Sequence, residues 1–178
     1  MVDFSLEKEV KLNYTMNDLY YSKKRHTPWL EKCTTFGELS EVVIDVLHHM
    51  HQLFPEEVFY QVCGPITTGP GTIREKLLLF ERAITYQRRL GRIVFNQLPT
   101  EKKLAVLWEQ WKERSDRKPD DYCFELLEEF YYPVFKSGLI QRLCFLPNWQ
   151  TSIGARWEWR WGSILGLRLE EFPLDWDK

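Results

Sequence analysis

The segment VFYQVCGPITTGPGTIREKLLLFERAITYQRRLGRIVFNQL, residues 58–98, decides the fold prediction. Its first apolar run stops at a Gly-Pro pair, which predicts a buried strand at about 57–63. Thr72 and Glu75 have the spacing of a capping box, so a helix is expected to begin there and to end at Gly91. A second apolar run, RIVFNQL, follows at once. The segment therefore predicts a strand–helix–strand unit with parallel strands.

The rest of the α/β region continues the alternation of strands and helices. It adds helices at residues 100–114, 121–135 and 151–166, and strands at residues 138–147 and 167–172. Pro133 is expected to perturb the second of these helices, because proline removes a backbone donor. We predict a parallel sheet of four or five strands. Ligands bind such sheets beyond the carboxyl ends of the strands, which points to loops 64–71 and 147–153.

The amino-terminal third of the chain has a different pattern. Residues 1–35 are polar and irregular, and residues 36–54 predict a helix with a narrow apolar seam. The seam residues are Leu39, Val43, Val46, Met50 and Leu53. We therefore predict a mostly helical extension at 1–55 and an α/β domain at 56–178. One interpretation of the seam is that it drives self-association.

Composition and charge exclude several classes of function. The 178 residues carry a formal net charge of −2, so no basic surplus exists for binding double-stranded nucleic acid. The sequence contains no run of 18 apolar residues, so no membrane span is predicted. The four cysteines show no C-x-x-C spacing, which favours reduced thiols in a cytoplasmic protein. The histidines of HHMH, residues 48–51, are predicted to lie on a solvated helix face, and no metal site is expected.

Glu158 is singled out by its neighbours in TSIGARWEWRWGSILG, residues 151–166. On a helix it shares one row with three glycines, at positions 154, 162 and 166. Glycine within a helix costs about 1 kcal/mol relative to alanine, so the row suggests that something approaches closely. One reading is a substrate held against a partly desolvated carboxylate. The other is tight helix packing, with Glu158 paired to an arginine at position 156, 160 or 168.

The loop 64–71 also has two readings. Its glycines permit a close approach of backbone to ligand, and it leads into a helix amino terminus that favours an anion or a sugar hydroxyl. Alternatively, it is an ordinary connection in which glycine and proline only make turns. It lacks the glycine-rich patterns of nucleoside triphosphate and dinucleotide sites, so no cofactor is predicted.

Three segments together are similar to one known family. They are CGPITTG after the first strand, VFNQLP after the second and FLPNWQTSIGARWE after the third. In this order they resemble the nucleoside 2-deoxyribosyltransferase-like superfamily over about residues 57–172. The third segment is the most specific. Its matching residues are Leu146, Pro147, Trp149, Ser152, Gly154, Ala155 and Glu158.

The resemblance implies a flavodoxin-like three-layer sandwich and an enzyme that acts on the N-glycosidic bond of a nucleoside or nucleoside 5′-monophosphate. Such an enzyme is a deoxyribosyltransferase or a nucleotide N-glycosidase, that is, a transferase or a hydrolase. Glu158 would be the nucleophile, and a homo-oligomer is expected. The substrate-binding residues implied are Gln61, Gly64, Pro65, Ile66, Thr67, Gly69, Asn148, Trp149, Ser152 and Gly154.

The sequence departs from the family pattern in two places. Gln61 stands where members often have tyrosine, and the pair Gln141 and Arg142 stands where many have a carboxylate that handles the leaving base. These departures keep an alternative open. The chain would then be a nucleotide-binding or self-associating module of the same fold, without catalysis.

Overall fold

A computed structural model describes most of the chain. The described residues are 21, 25–65, 72–114, 116, 118 and 121–177.

The centre of the molecule is a sheet of four parallel strands. They are β1 (Phe59–Cys63), β2 (Ile93–Phe95), β3 (Arg142–Phe145) and β4 (Arg168–Glu171). Their order across the sheet is β2-β1-β3-β4. In the register of the two pairs formed by β1, Gln61 lies opposite Phe95 of β2 on one side and Leu143 of β3 on the other. The predicted parallel α/β sheet is confirmed, with four strands among the described residues.

Six α-helices accompany this sheet in the described part of the chain. They are α1 (His26–Lys32), α2 (Phe36–Leu53), α3 (Ile73–Arg89), α4 (Leu98–Lys112), α5 (Tyr132–Lys136) and α6 (Ile153–Ile164). The capping box predicted at the start of α3 is present, because the Thr72 side chain accepts from the Glu75 N–H and the Glu75 side chain accepts from the Thr72 N–H. Gly91, with φ +77°, follows the end of the helix as predicted. No helix in the described part of the chain is long and apolar enough to cross a membrane.

Side chains of β1 alternate between two hydrophobic clusters, one on each face of the sheet. Phe59 and Cys63 belong to the cluster that contains residues of α2, α4 and α6. Val62 belongs to the other cluster, together with Phe80 of α3. The β1-to-β2 connection thus packs on the face opposite to the later connections. Since the strand order reverses direction between β1 and β3, the topological switch point of the sheet lies there.

Helices α1 and α2 contribute residues to the same hydrophobic cluster as β1 and β3. The predicted division at residue 55 stays a prediction. Val43, Val46 and Met50 of α2 are fully buried, and α2 packs against α5 and against the π-helix Leu126–Tyr131. The apolar seam is therefore covered by the chain itself and is not a surface for self-association. Leu53, at the end of the predicted seam, is 44% exposed.

The helix that precedes β3 is irregular where the sequence predicts a perturbation. The π-helix Leu126–Tyr131 ends just before α5, and Pro133 lies in the first turn of α5. A proline at this position cannot donate to the carbonyl of Glu129, and its ring clashes with that carbonyl in regular α geometry. Widening of the preceding turns accommodates both effects.

Candidate functional site

A cavity of about 390 Å³ lies beyond the carboxyl ends of the strands. Gly64 after β1, Gln97 after β2 and Ser152 after β3 all line it. The cavity thus occupies the switch point of the sheet, where ligands of doubly wound proteins bind. Its volume falls within the range of roughly 300–1,000 Å³ typical of small-molecule sites.

Glu158 lines this cavity from the second turn of α6. The Ser152 hydroxyl accepts from the N–H of Ala155 and so fixes the start of that helix. Only 6% of Glu158 is exposed, and burial raises the pKa of its carboxyl to about 8. A hydrogen bond with the Cys63 thiol opposes this rise in pKa, and the charge of Glu101 adds to it. Glu158 is therefore largely protonated at neutral pH.

The alternative role of Glu158 as one half of an ion pair is not observed. The side chains at positions 156 and 160 are exposed, whereas Glu158 is buried. Arg168 is also exposed, and its Nε lies 3.5 Å from the Glu170 carboxylate. Within the described residues, Glu158 forms no salt bridge.

Glu101 is a second acid in the same cavity, half-buried as a residue, and sequence reasoning missed it. It lies in the first turn of α4, and burial raises the pKa of its carboxyl to about 8. Its Oε1 is buried without a hydrogen-bond partner among the described residues. A signal was present, because Leu98, Leu104 and Trp108 share the helix face of Glu101 and make it the one acid on an apolar stripe.

The remaining wall is mostly apolar and aromatic. Trp108, Tyr122 and Tyr131 contribute rings, and the π-helix supplies Leu126, Leu127 and Tyr131. Burial, together with the nearby acids, raises the pKa of both tyrosines well above its usual value. A cavity with such a wall suits a flat, uncharged ring. The carboxyl groups of Glu101 and Glu158 can exchange protons with a ligand bound there.

The three positions in the row of Glu158 require glycine for three different reasons. A Cβ on Gly154 would lie 2.7 Å from the Tyr122 hydroxyl oxygen, at the cavity wall. One on Gly162 would meet Leu143 and Leu169 at 2.8 and 2.9 Å, so this glycine allows α6 to pack on the sheet. The third, at position 166, has φ +75° and lies beyond the helix end. Only Gly154 fits the expectation of room for a ligand.

Of the predicted binding residues, Gly64, Ser152 and Gly154 come together with Glu158 around the cavity. The predicted residues Ile66, Thr67 and Gly69 lie outside the described part of the chain. Their contribution to the site stays a prediction.

Four other predicted binding residues do not line the cavity. Trp149 is buried, stacks on Trp159 with ring centroids 4.4 Å apart, and packs there as a core residue. Asn148 is exposed and itself has φ 63°, just before the short helical turn Trp149–Thr151. Gln61 is buried in the middle of β1, on the face of Phe59 and Cys63, and Pro65 is only half-buried beside the cavity residue Gly64. Sequence spacing could not separate these positions from lining residues, because a motif shared along a loop does not show which side chains turn inward.

Among the histidines of residues 48–51, His51 contacts the backbone of the segment before β3. The Nε2 atom of His51 lies 2.9 Å from the carbonyl oxygen of Leu139. Across the described ranges, no group of three or more His, Cys, Asp and Glu side chains is arranged to hold a metal ion.

Compared with protein-family models, curated protein sequences and solved structures, the chain gives no significant match.

Proposed function

We propose that the protein cleaves or exchanges the N-glycosidic bond of a nucleoside or nucleoside 5′-monophosphate, with Glu158 as the nucleophile. One observation carries the proposal. The carboxyl of Glu158 lines a cavity at the switch point of a parallel sheet, without an ion-pair partner among the described residues. The sequence resemblance adds the reaction type. We also propose the finer architecture that it implies, a flavodoxin-like three-layer sandwich.

In this reaction the ionised Glu158 attacks the anomeric carbon of the sugar. The bond to the base breaks, and the sugar is left as an ester of Glu158. Water or a second base then displaces the ester, which gives hydrolysis or transfer with retained configuration. The ionised form is scarce at neutral pH, since the pKa of Glu158 is raised to about 8. The rate is therefore expected to increase as the pH approaches that value.

The wall composition supports a nucleoside-like ligand. Trp108 and Tyr131 provide ring surfaces against which a base can pack. Hydroxyl groups of the sugar would meet polar side chains of the wall, which include the buried Gln97 and Ser152. The cavity is large enough for one such molecule by the usual range for small-ligand sites.

The test is incubation with a panel of nucleosides and 5′-monophosphates, followed by chromatography for free base. Mass spectrometry of rapidly quenched protein should find the sugar bound to the peptide that contains Glu158. Glu158→Gln is expected to abolish both signals, whereas Glu128→Gln, at an exposed glutamate of the π-helix, leaves both unchanged. Unchanged base release by Glu158→Gln would remove the nucleophile assignment.

A second candidate function is ligand binding without chemistry. The observation that favours it is the raised pKa of Glu158, which leaves the nucleophile mostly neutral near pH 7. A thermal shift with nucleosides, without product at any pH between 6 and 9, would select this candidate.

We further propose that the protein is a homo-oligomer in the cytoplasm. The four cysteines are free and buried, which suits a reducing compartment. Measurement of mass in solution by light scattering tests the assembly, and a mass equal to one chain contradicts it.

A further inference from the structure

We propose that Glu101 is the acid/base catalyst of this site, which protonates the departing base and then deprotonates the incoming water or acceptor. The inference rests on the proposed function of Glu158 and adds a second catalytic residue to it.

The first observation is the position of Glu101 in the cavity. It is held by the first turn of α4, the helix that begins just after β2. Its Oε1 is buried and lacks a hydrogen-bond partner among the described residues. A buried carboxyl oxygen without a partner is costly, so the native fold retains it only where something compensates. A ligand in the cavity that Glu101 lines is the natural partner.

The second observation concerns the alternatives to Glu101. Glu101 and Glu158 are the two carboxylic acids among the described residues of the cavity wall. At the opposite end of β3, the Gln141 side chain accepts from the Phe59 N–H at 2.7 Å and donates to the Gly138 carbonyl at 3.2 Å. Arg142 binds Glu170 at 2.7 Å. Neither of these residues lines the cavity, so the proton donor for a leaving base must come from elsewhere.

The third observation is the electrostatic link between the two acids. The charge on Glu101 raises the pKa of Glu158, so ionising one carboxyl disfavours ionising the other. On titration the pair therefore passes through a state in which one carboxyl is protonated and the other is ionised. That state contains one nucleophile and one acid, as the two-carboxylate mechanism of retaining glycoside cleavage requires.

The reaction balances with these two groups and one water molecule. A carboxylate oxygen of Glu158 bonds to the anomeric carbon, the carbon–nitrogen bond breaks, and its electron pair accepts the proton of Glu101. Glu101, now ionised, takes a proton from water as the water oxygen attacks the same carbon. The ester bond breaks, and its electron pair returns to Glu158. For transfer, the N–H of an acceptor base replaces the water.

The experiment compares two leaving groups on the same sugar. One substrate is a nucleoside cleaved by the wild-type protein, and the other is the corresponding 4-nitrophenyl glycoside, whose phenolate departs without a proton. Glu101→Gln should lower the rate on the nucleoside by at least about 100-fold, the usual contribution of a general acid. On the nitrophenyl glycoside, the rate of sugar transfer to Glu158 should fall less than about tenfold. Glu158→Gln should abolish both reactions, and Glu109→Gln, at an exposed position of α4, should alter neither.

The outcomes separate the two proposals. If the wild-type protein is active but Glu101→Gln slows both substrates equally, or slows neither, the role of Glu101 is overturned while Glu158 stands. If the wild-type protein cleaves no substrate and forms no sugar ester, the proposed function fails and takes this inference with it. Should Glu101→Gln not fold, the wild-type pH profile still decides. The alkaline fall in rate must appear with the nucleoside and be absent with the nitrophenyl glycoside.

Discussion

Glu101 and Glu158 enter one cavity from helices that follow different strands, and the charge of Glu101 raises the pKa of Glu158. Both carboxyls have pKa values raised to about 8, chiefly by burial. A fold that raises the pKa of two acids in one cavity gives up stability near neutral pH. This cost is typical of a site built for binding or catalysis rather than for packing.

The first prediction concerns stability and pH. In the unfolded chain both acids release their protons near pH 4.5, whereas the folded chain keeps them until about pH 8. The folded state thus binds more protons between pH 5 and 8. The free energy of unfolding is therefore highest at the acidic end of this window and falls as the pH rises, by up to about 1.4 kcal/mol per pH unit for each group. Urea unfolding at several pH values measures this slope.

Matched variants identify the groups responsible for the slope. Glu101→Gln and Glu158→Gln should each flatten it and should each stabilise the protein at pH 8. Glu128→Gln replaces an exposed glutamate and should leave the slope as it is. A wild-type stability that does not fall between pH 5 and 8 would show that the two carboxyls are not buried as described.

The second prediction concerns activity and pH. Attack on the sugar needs Glu158 ionised, and its pKa is raised to about 8. The value of kcat/KM should therefore increase about tenfold per pH unit from pH 6 to pH 7 and reach its maximum near pH 8, above which loss of the Glu101 proton lowers it. Initial rates of base release at fixed ionic strength test this. A flat profile over the same range would mean that Glu158 is already ionised in the free protein.

Much of the fold follows from local sequence signals. The strand–helix alternation, the capping box at Thr72 and the disturbance near Pro133 each have a short-range cause, and all three are confirmed. The packing of α2 against the rest of the chain does not have a short-range cause. A seam that repeats every three or four residues looks the same whether it packs on its own chain or on another. Only the tertiary contacts with the π-helix and α5 show that it belongs to the core.

The site was predictable in part. Glu158 was marked by an unusual helix, and its place at the cavity agrees with the position predicted from strand ends. Glu101 lies in TEKKLAVLWEQWKER, among charges that look like an ordinary solvated face. The apolar residues on its helix face are the one sequence signal for Glu101. The burial of its Oε1 depends on how α4 packs in the fold, which that spacing does not specify. Trp149 shows the opposite error, since a residue within the motif is used for packing on Trp159.

The third prediction separates a motif residue from a cavity residue. Trp149→Ala removes a buried ring stacked on Trp159 and should destabilise the protein by about 3–5 kcal/mol. Trp108→Ala removes a half-buried ring of the cavity wall. It should cost less stability but weaken nucleoside binding by roughly tenfold, the order of a lost base–aromatic contact. Denaturant unfolding and calorimetric titration give the two quantities. Equal binding by the wild type and Trp108→Ala would argue against a base packed on this ring.

The last prediction tests the separate roles of the glycines in α6. Gly162→Ala places a methyl group within 3 Å of Leu143 and Leu169, both of which pack in the core cluster. The overpacking penalty of about 1–3 kcal/mol should exceed the gain of up to about 1 kcal/mol from helix propensity. Gly37→Ala in α2 is the matched control, because its new methyl group meets only Thr35 Oγ1 at 4.0 Å, and it should not destabilise.

Gly154→Ala should behave differently from both, because the new methyl group meets only the far end of the Tyr122 side chain at less than 3 Å. That hydroxyl can move into the cavity at little cost in unfolding free energy. The expected result is near wild-type stability with weakened nucleoside binding, since the displaced ring narrows the space in front of Glu158. Denaturant unfolding and calorimetric titration of the three variants test this order. If Gly154→Ala lost stability as Gly162→Ala does, both glycines would serve helix packing. The glycines on the helix face of Glu158 would then give no evidence for a ligand.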